Sequence, residues 1–291
     1  MTDASVAPDI DRRRLIDDLQ ELVRIPSITG SEERVAAWCA AALRELGMQV
    51  EVVRPDPATI RADPAWPGEE MPRTSLPVVI GRAGTASAGG AHGVDGATGT
   101  PRRRILSGHL DVVPPGDPAT WTTDAWGAEI RDGRLYGRGA CDMKGGVASI
   151  LGAVRALRSS GDLDRLGGEL MVVLVPSEED GGQGTLAAIR AGATGGLAII
   201  TEPSNLDVVV AHAGAITFRL TVPGRAAHAS QRREGVSALD KLFVLATALQ
   251  ADETRRNSAE IDPLMTGSAC RTRPSSASSR VVNGRRPSSI E

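Results

Sequence analysis

No apolar stretch of this chain reaches the ~20 residues that a membrane-spanning helix needs, so nothing in it reads as an anchor in a bilayer. Cysteine is scarce. The three in 291 residues (Cys39, Cys141 and Cys270) are odd in number and far apart, with none in a CxxC pair, which excludes a disulfide framework and fits a reducing compartment. An excess of basic charge is also lacking: the formal net charge of -3 removes any bulk electrostatic reason to bind nucleic acid or an anionic membrane. The amino terminus has neither the basic nor the apolar half of a signal peptide, since Asp3, Asp9 and Asp11 precede an amphipathic segment. These absences lead to an expected cytoplasmic location and expected small-molecule partners. What the chain does have is a 41% hydrophobic fraction, enough to bury the core of one large domain or two modest ones.

Apolar residues recur at helical spacing from Ile10 to Val23, and Ile25-Pro26 ends that helix because the residue before proline is pushed out of the helical region. Ser31 is the expected N-cap of a second helix that runs through Trp38, Cys39, Leu43 and Leu46 to Gly47. Met48 to Val53 reads as a strand. Residues 55–101 are rich in Pro, Gly, Ala and Thr with one strand-like run, Val78 to Ile80; residues 83–101 are expected to be a disordered excursion containing a surface histidine, His92. Strands are then expected at Arg104 to Leu106, Leu170 to Val175 and Leu197 to Ile200, the last two buried, with helices at Gly146 to Leu157 and Thr185 to Ala191. This alternation implies an α/β fold: a mixed, largely parallel sheet flanked by helices. Beyond Asn205 the texture changes. Val208 to Ala211 and Ala215 to Val222 look like strands, His212 reads as a partly buried histidine, and Val236 to Leu249 reads as an amphipathic helix. The expected organisation is a catalytic domain over 1–212, a partial α+β lid over 213–265 and a disordered Ser/Arg/Pro tail over 266–291.

Imidazole and carboxylate ligands suited to a divalent cation stand at the ends of successive expected strands: His109, Asp111, Asp142, Glu178, Glu179 and Glu202. His109 and Asp111 are two residues apart, so on an extended segment both point to one side. Alone, the pair would be an ordinary solvated loop. Asp142 lies among glycines (137-GRGACDMKGG-146) that permit a tight turn before a helix, where an N-cap aspartate is the plainer alternative. Glu178 and Glu179 would ordinarily be a charged turn after a strand. Chemically they can divide labour, one holding metal and the other acting as general base toward an attacking water. Glu202, placed straight after an apolar strand, is an unusual position for a merely solvated charge.

Taken together and in order, 108-GHLDVVP-114, 137-GRG-139 with 142-DMKGG-146, 177-SEE-179 with Gly181, Glu202-Pro203 and 224-GRAAHAS-230 resemble the dinuclear-zinc hydrolases. That family includes acetylornithine deacetylase, succinyl-diaminopimelate desuccinylase, aminoacylase and glutamate carboxypeptidase. The likeness covers about residues 10–265, and the acetylornithine-deacetylase branch is the nearest. It implies that His109 and Glu202 hold one Zn²⁺, that Asp142 bridges two and that Glu179 holds the second. Glu178 would be the base and Asp111 would orient His109. His228 would polarise the scissile carbonyl from the lid, often across a dimer, so a homodimer is implied as well. Co²⁺ or Mn²⁺ could replace zinc with the same donors.

The family pattern also implies one more histidine near the end of a longer chain, and none follows His228. Without it a second metal keeps only Asp142 and Glu179, too few protein ligands for a well-held site. The tail after Gly267 therefore reads as the product of a shifted frame or truncated gene, which sequencing of the locus would test. Two functions are carried forward: hydrolysis of the amide bond of a small N-acyl amino acid or dipeptide-like substrate, and a catalytically inactive metal- or ligand-binding remnant of that family.

Overall fold

The computed structural model describes residues 8–84, 103–207, 209 and 220–258. His92, His212, the tail and most of the expected disordered excursion and of the strands at 208–211 and 215–222 lie outside the described residues. The elements, in chain order, are α1 (Arg12–Arg24), α2 (Glu33–Glu45), β1 (Gln49–Val53), α3 (Pro57–Arg61), β2 (Val78–Gly84), β3 (Arg103–His109), β4 (Glu129–Arg131), β5 (Arg134–Tyr136), α4 (Gly145–Ser159), β6 (Glu169–Val175), α5 (Gln183–Arg190), β7 (Leu197–Ile200) and α6 (Ala238–Asn257). Two compact units divide the chain between Leu206 and Asp207.

The first unit is built on a five-stranded sheet of order β1-β2-β6-β3-β7. β2 pairs antiparallel with both β1 and β6, while β3 pairs parallel with β6 and β7, so β2 alone runs against the other four. The sheet is mixed and mostly parallel in direction. Side chains of β6 alternate between two cores, as a strand's period of two requires. Leu170, Val172 and Leu174 meet α1, α2 and α4 through Leu22, Leu43 and Leu151, and Met171, Val173 and Val175 meet α5 through Leu186 and Ala187 on the opposite face. Each fully buried leucine contributes ~2 kcal/mol by leaving water. α4, which follows β3 after the β4–β5 hairpin, and α5, which follows β6, pack on opposite faces of the sheet, the arrangement in which open α/β sheets bind ligands beyond the carboxyl ends of their strands. β4 and β5 form a separate hairpin.

Asp11 caps α1, its carboxylate accepting from the Arg14 backbone N–H, and the helix stops at Ile25, before Pro26. The cap of α2 differs from expectation. Glu32, not Ser31, occupies the N-cap position and makes no side-chain cap bond, because its carboxylate is drawn to Gly30 and to the buried Arg73. A second correction concerns β7. Expected as a buried strand, it is the sheet's edge, and Leu197, Ile199 and Ile200 are all more than half exposed, since β3 is its one strand neighbour among the described residues.

In the second unit, Arg225 and Val236 form an isolated antiparallel bridge around a short 3-10 turn at Ala229–Glu234. Residues 220–222 are not in a strand, although the sequence pattern runs to Val222. α6 is capped by the Ser237 hydroxyl, which accepts from the Asp240 N–H, and it extends eight residues beyond the expected Leu249. Among the described residues no helix is long and apolar enough to cross a membrane.

Candidate metal centre

His109 is the last residue of β3, buried, and fixed from both sides. Its backbone N–H points at the Met143 sulfur, and its Nδ1 lies 2.8 Å from the backbone carbonyl oxygen of Asp111. A carbonyl only accepts, so Nδ1 carries the proton and a neutral ring presents a bare lone pair at Nε2. That Nε2 stands 3.0 Å from Asp142 Oδ1, 3.9 Å from Glu202 Oε1 and 4.0 Å from Glu178 Oε2. Nε2 and a carboxylate oxygen are both acceptors at this point, so their approach needs a positive species between them, either a proton or a cation.

Asp142 belongs to an irregular turn, Ala140–Lys144, placed between Gly139 in the left-handed region (φ +78°) and the start of α4. Lys144 anchors this turn. Its buried ammonium donates to the carbonyls of Leu22 and Ile25 at the end of α1, at 2.9 and 2.8 Å, and burial pushes its pKa down to about 8.

Glu178 and Glu179 follow β6 after Pro176 and Ser177, the latter at φ +67°. The Asp111 carboxylate is buried beneath them: Oδ1 accepts from the Glu178 N–H at 3.0 Å, and Oδ2 accepts from the Glu179 N–H at 3.2 Å and from the Thr29 hydroxyl at 3.1 Å. The expectation that this carboxylate orients His109 is thereby refined. The Asp111 carbonyl holds the imidazole, whereas the carboxylate, 3.7 Å from Nδ1, holds the glutamate turn. Glu202 follows the exposed strand β7, so its place near His109 comes from the edge pairing with β3, not from burial of its own strand.

The electrostatics are those of crowded negative charge. Burial, then the neighbouring carboxylates, raise Glu178 above the ordinary carboxylate range, and burial followed by Asp142 pushes Glu179 up to about 7. Glu202 is raised by burial and by Asp142 and Glu178 against the relief His109 offers. Burial alone would depress His109, but Asp111, Asp142, Glu202 and Glu178 outweigh it and the net shift is upward. Among the described residues, His109, Asp142 and Glu179 each offer one ligand atom, all within 4.8 Å of one another. An imidazole lone pair facing several carboxylates is the donor mixture a divalent cation such as zinc takes, so the residues fit a metal.

The structure thus brings together His109, Asp142, Glu178, Glu179 and Glu202, with Asp111 beneath them. His228 lies in the second unit, exposed, its Nδ1 accepting from the Ser230 N–H at 3.3 Å. The sequence assigned no role to Thr29, Glu32, Arg73, Asp180 or Lys144, although Lys144 lies inside the 142-DMKGG-146 motif and Asp180 directly follows 177-SEE-179. Thr29, Glu32 and Arg73 carry no local signal, since they reach the site from distant loops.

Comparison with known proteins decides the lineage: residues 105–283, more than half of the chain, match the model of Peptidase family M20/M25/M40. The chain belongs to this family. The match extends past residue 265, where the sequence likeness was expected to end. Among curated M20 relatives, the chain is similar to succinyl-diaminopimelate desuccinylase of Methylorubrum extorquens (strain PA1), 32% identical over 257 residues, covering 84% of this chain and 58% of the relative. It is 30% identical over 244 residues to the enzyme of the same description from Gluconacetobacter diazotrophicus, covering 80% of this chain and 55% of that relative. The chain therefore spans less than two thirds of the length of these relatives. Among solved structures, a tripeptidase from Staphylococcus aureus subsp. aureus mu50 aligns with a TM-score of 0.48 at 19% identity, over 83% of this chain and 56% of that one.

Proposed function

We propose that this chain carries the metal-dependent active centre of a hydrolase that cleaves the amide bond of a small N-acyl amino acid. The observation that carries the reading is the convergence on His109 Nε2 of carboxylates from three separate chain segments, Asp142, Glu178 and Glu202, with Glu179 beside them. His109, Asp142, Glu179 and Glu202 would hold Zn²⁺, or Co²⁺ or Mn²⁺ in its place. A cation bound there supplies Lewis acidity, which polarises a carbonyl oxygen and makes water more acidic.

The protein's own part is proton management. Glu178 is half exposed and burial raises its pKa above the ordinary carboxylate range, which makes it a better acceptor for a proton from an attacking water. As the water oxygen bonds to the carbonyl carbon and the C–N bond breaks, that proton goes to the leaving amine. Asp111 keeps Glu178 in place through the backbone, independently of its protonation. His228 is proposed as a further donor to the carbonyl oxygen on the family resemblance. The substrate class is narrowed to N-succinyl or N-acetyl amino acids: the curated relatives' names favour the former, the motif likeness the latter.

The test is release of succinate or acetate from N-acyl diamino acids by the zinc- or cobalt-loaded chain, beside Glu178→Gln. The expected loss in Glu178→Gln is about 10²–10⁴-fold in kcat, with zinc content unchanged. A metal-loaded parent chain that turns over none of these substrates would sink the proposal in favour of an inactive metal-binding relative.

A further inference from the structure

The loop between α3 and β2 sends Arg73 into the protein behind the glutamate turn, where its side chain is fully buried. Its NH2 donates to Glu32 Oε1 at 2.9 Å and to Asp180 Oδ1 at 3.2 Å, and its Nε reaches Asp180 Oδ2 at 3.4 Å. Asp180 closes the turn that begins at Ser177, whose hydroxyl donates to the same Oδ1. Two backbone bonds, Gly182 N–H to the Ser177 carbonyl and Gly181 N–H to the Glu178 carbonyl, tighten that turn. The α3–β2 loop also leans on it directly. A Cβ at Gly181 would stand 2.9 Å from the Gly68 carbonyl oxygen.

Such a burial of charge is a poor way to gain stability. One guanidinium faces two buried carboxylates, its NH1 has no hydrogen-bond partner among the described residues, and apolar residues of similar volume often serve stability as well or better. What the arrangement does supply is direction. Glu32 lies on the same short loop as Thr29, and Thr29 donates to the Asp111 carboxylate that accepts from the N–H groups of Glu178 and Glu179. Asp111 grips the turn at its two glutamates, and Arg73 grips it at Asp180. Both grips return to residues 29–32. A turn that opens with a non-glycine residue in the left-handed region, at Ser177, is a conformation its surroundings must impose.

We propose that Arg73 is a positioning residue, which through Asp180 and Glu32 fixes the turn that presents Glu178 and Glu179. This rests on the reading of those two glutamates as site residues, so both readouts are taken without substrate. The experiment compares the full chain with Arg73→Met and Arg73→Lys. It measures hydrogen–deuterium exchange in the peptide spanning residues 176–183, and the affinity and visible spectrum of added cobalt. The expected result is exchange accelerated in that peptide well beyond α4 and β6, together with cobalt affinity lowered by about tenfold or more, the cost typical of losing a residue that supports metal ligands. Arg73→Lys should recover part of both, because an ammonium restores the charge but not the fork that meets two carboxylates. If the Arg73 variants do not fold, Asp180→Asn, which keeps the shape and removes the charge, gives the same two readings. Exchange raised uniformly through the sheet, or cobalt affinity and turn exchange unchanged in a folded variant, would overturn the proposal. Absence of turnover in the parent would count against the hydrolase reading and leave these two readouts standing.

Discussion

At the residue scale the decisive quantity is where the protons sit when no cation is bound. Glu179 is pushed up to about 7 by burial, then by Asp142, Glu178 and Asp111 against the opposing pull of His109, so near neutral pH it still holds a proton much of the time. A metal must displace that proton to use the carboxylate. Cobalt or zinc affinity is therefore expected to fall as pH drops below 7, by about tenfold per pH unit for each proton released. Competition against a chromophoric chelator from pH 5.5 to 8 measures this. A flat profile would show that binding displaces no proton from Glu179 and would count against its being a ligand. Individual residues were unequally legible. The six carboxylate and imidazole positions could be read because ligand chemistry restricts residue type, whereas the separate uses of the Asp111 carbonyl and carboxylate depend on torsions that no spacing encodes.

At the scale of elements, the start of α4 is packed against the end of β7 with no room to spare. A Cβ at Gly146 would lie 2.2 Å from the Thr201 backbone oxygen, 2.7 Å from its hydroxyl and 2.9 Å from the Met143 methyl. The Thr201 N–H is itself bonded to the Ser107 carbonyl of β3, so this backbone cannot yield freely. Gly146→Ala is expected to cost about 1–3 kcal/mol of overpacking and to displace Glu202, which follows Thr201. Urea unfolding reads the first effect and metal affinity the second. Parent-like values for both would mean that the helix and strand ends slide apart without cost. Most elements were legible: continuous apolar runs marked β6, and glycine and proline marked the ends of α1 and α2. The exposure of β7 was not legible, because an apolar strand looks the same whether it lies inside a sheet or at its edge.

For the molecule as a whole, the cluster sets how stability varies with pH. Glu178, Glu179, Glu202 and the more distant Glu32 have folded-state values raised above 4.5, the ordinary carboxyl value, and His109 is raised above 6.5. Between those unfolded values and the raised ones the folded chain binds more protons than the unfolded chain, so stability declines as pH rises. The metal-free chain should accordingly show a Tm that falls from about pH 4.5 to just above 7, and saturating zinc should remove the part of the fall due to His109, Glu179 and Glu202 while leaving that of Glu32. The exposed ion pairs act with the opposite sign but at or below the lower edge of this window: Arg190 pulls Asp63 down to about 2, and Arg54 lowers Glu33 from 4.5. A Tm that rises with pH across the window in the chelated protein would contradict the account.

The amino-acid sequence by itself determined the class of fold, through alternating strand and helix periodicities, and the chemistry of the centre, through residue types that hold divalent cations. Both are local properties, carried by a few neighbouring residues at a time. Tertiary structure alone decided that the His109, Asp142, Glu178–Glu179 and Glu202 segments converge, since three parallel strands had to end at one edge of the sheet. It alone decided that Arg73 and Glu32 stand behind the glutamate turn, because contacts between residues 41 and 107 positions apart exist only after the chain has packed.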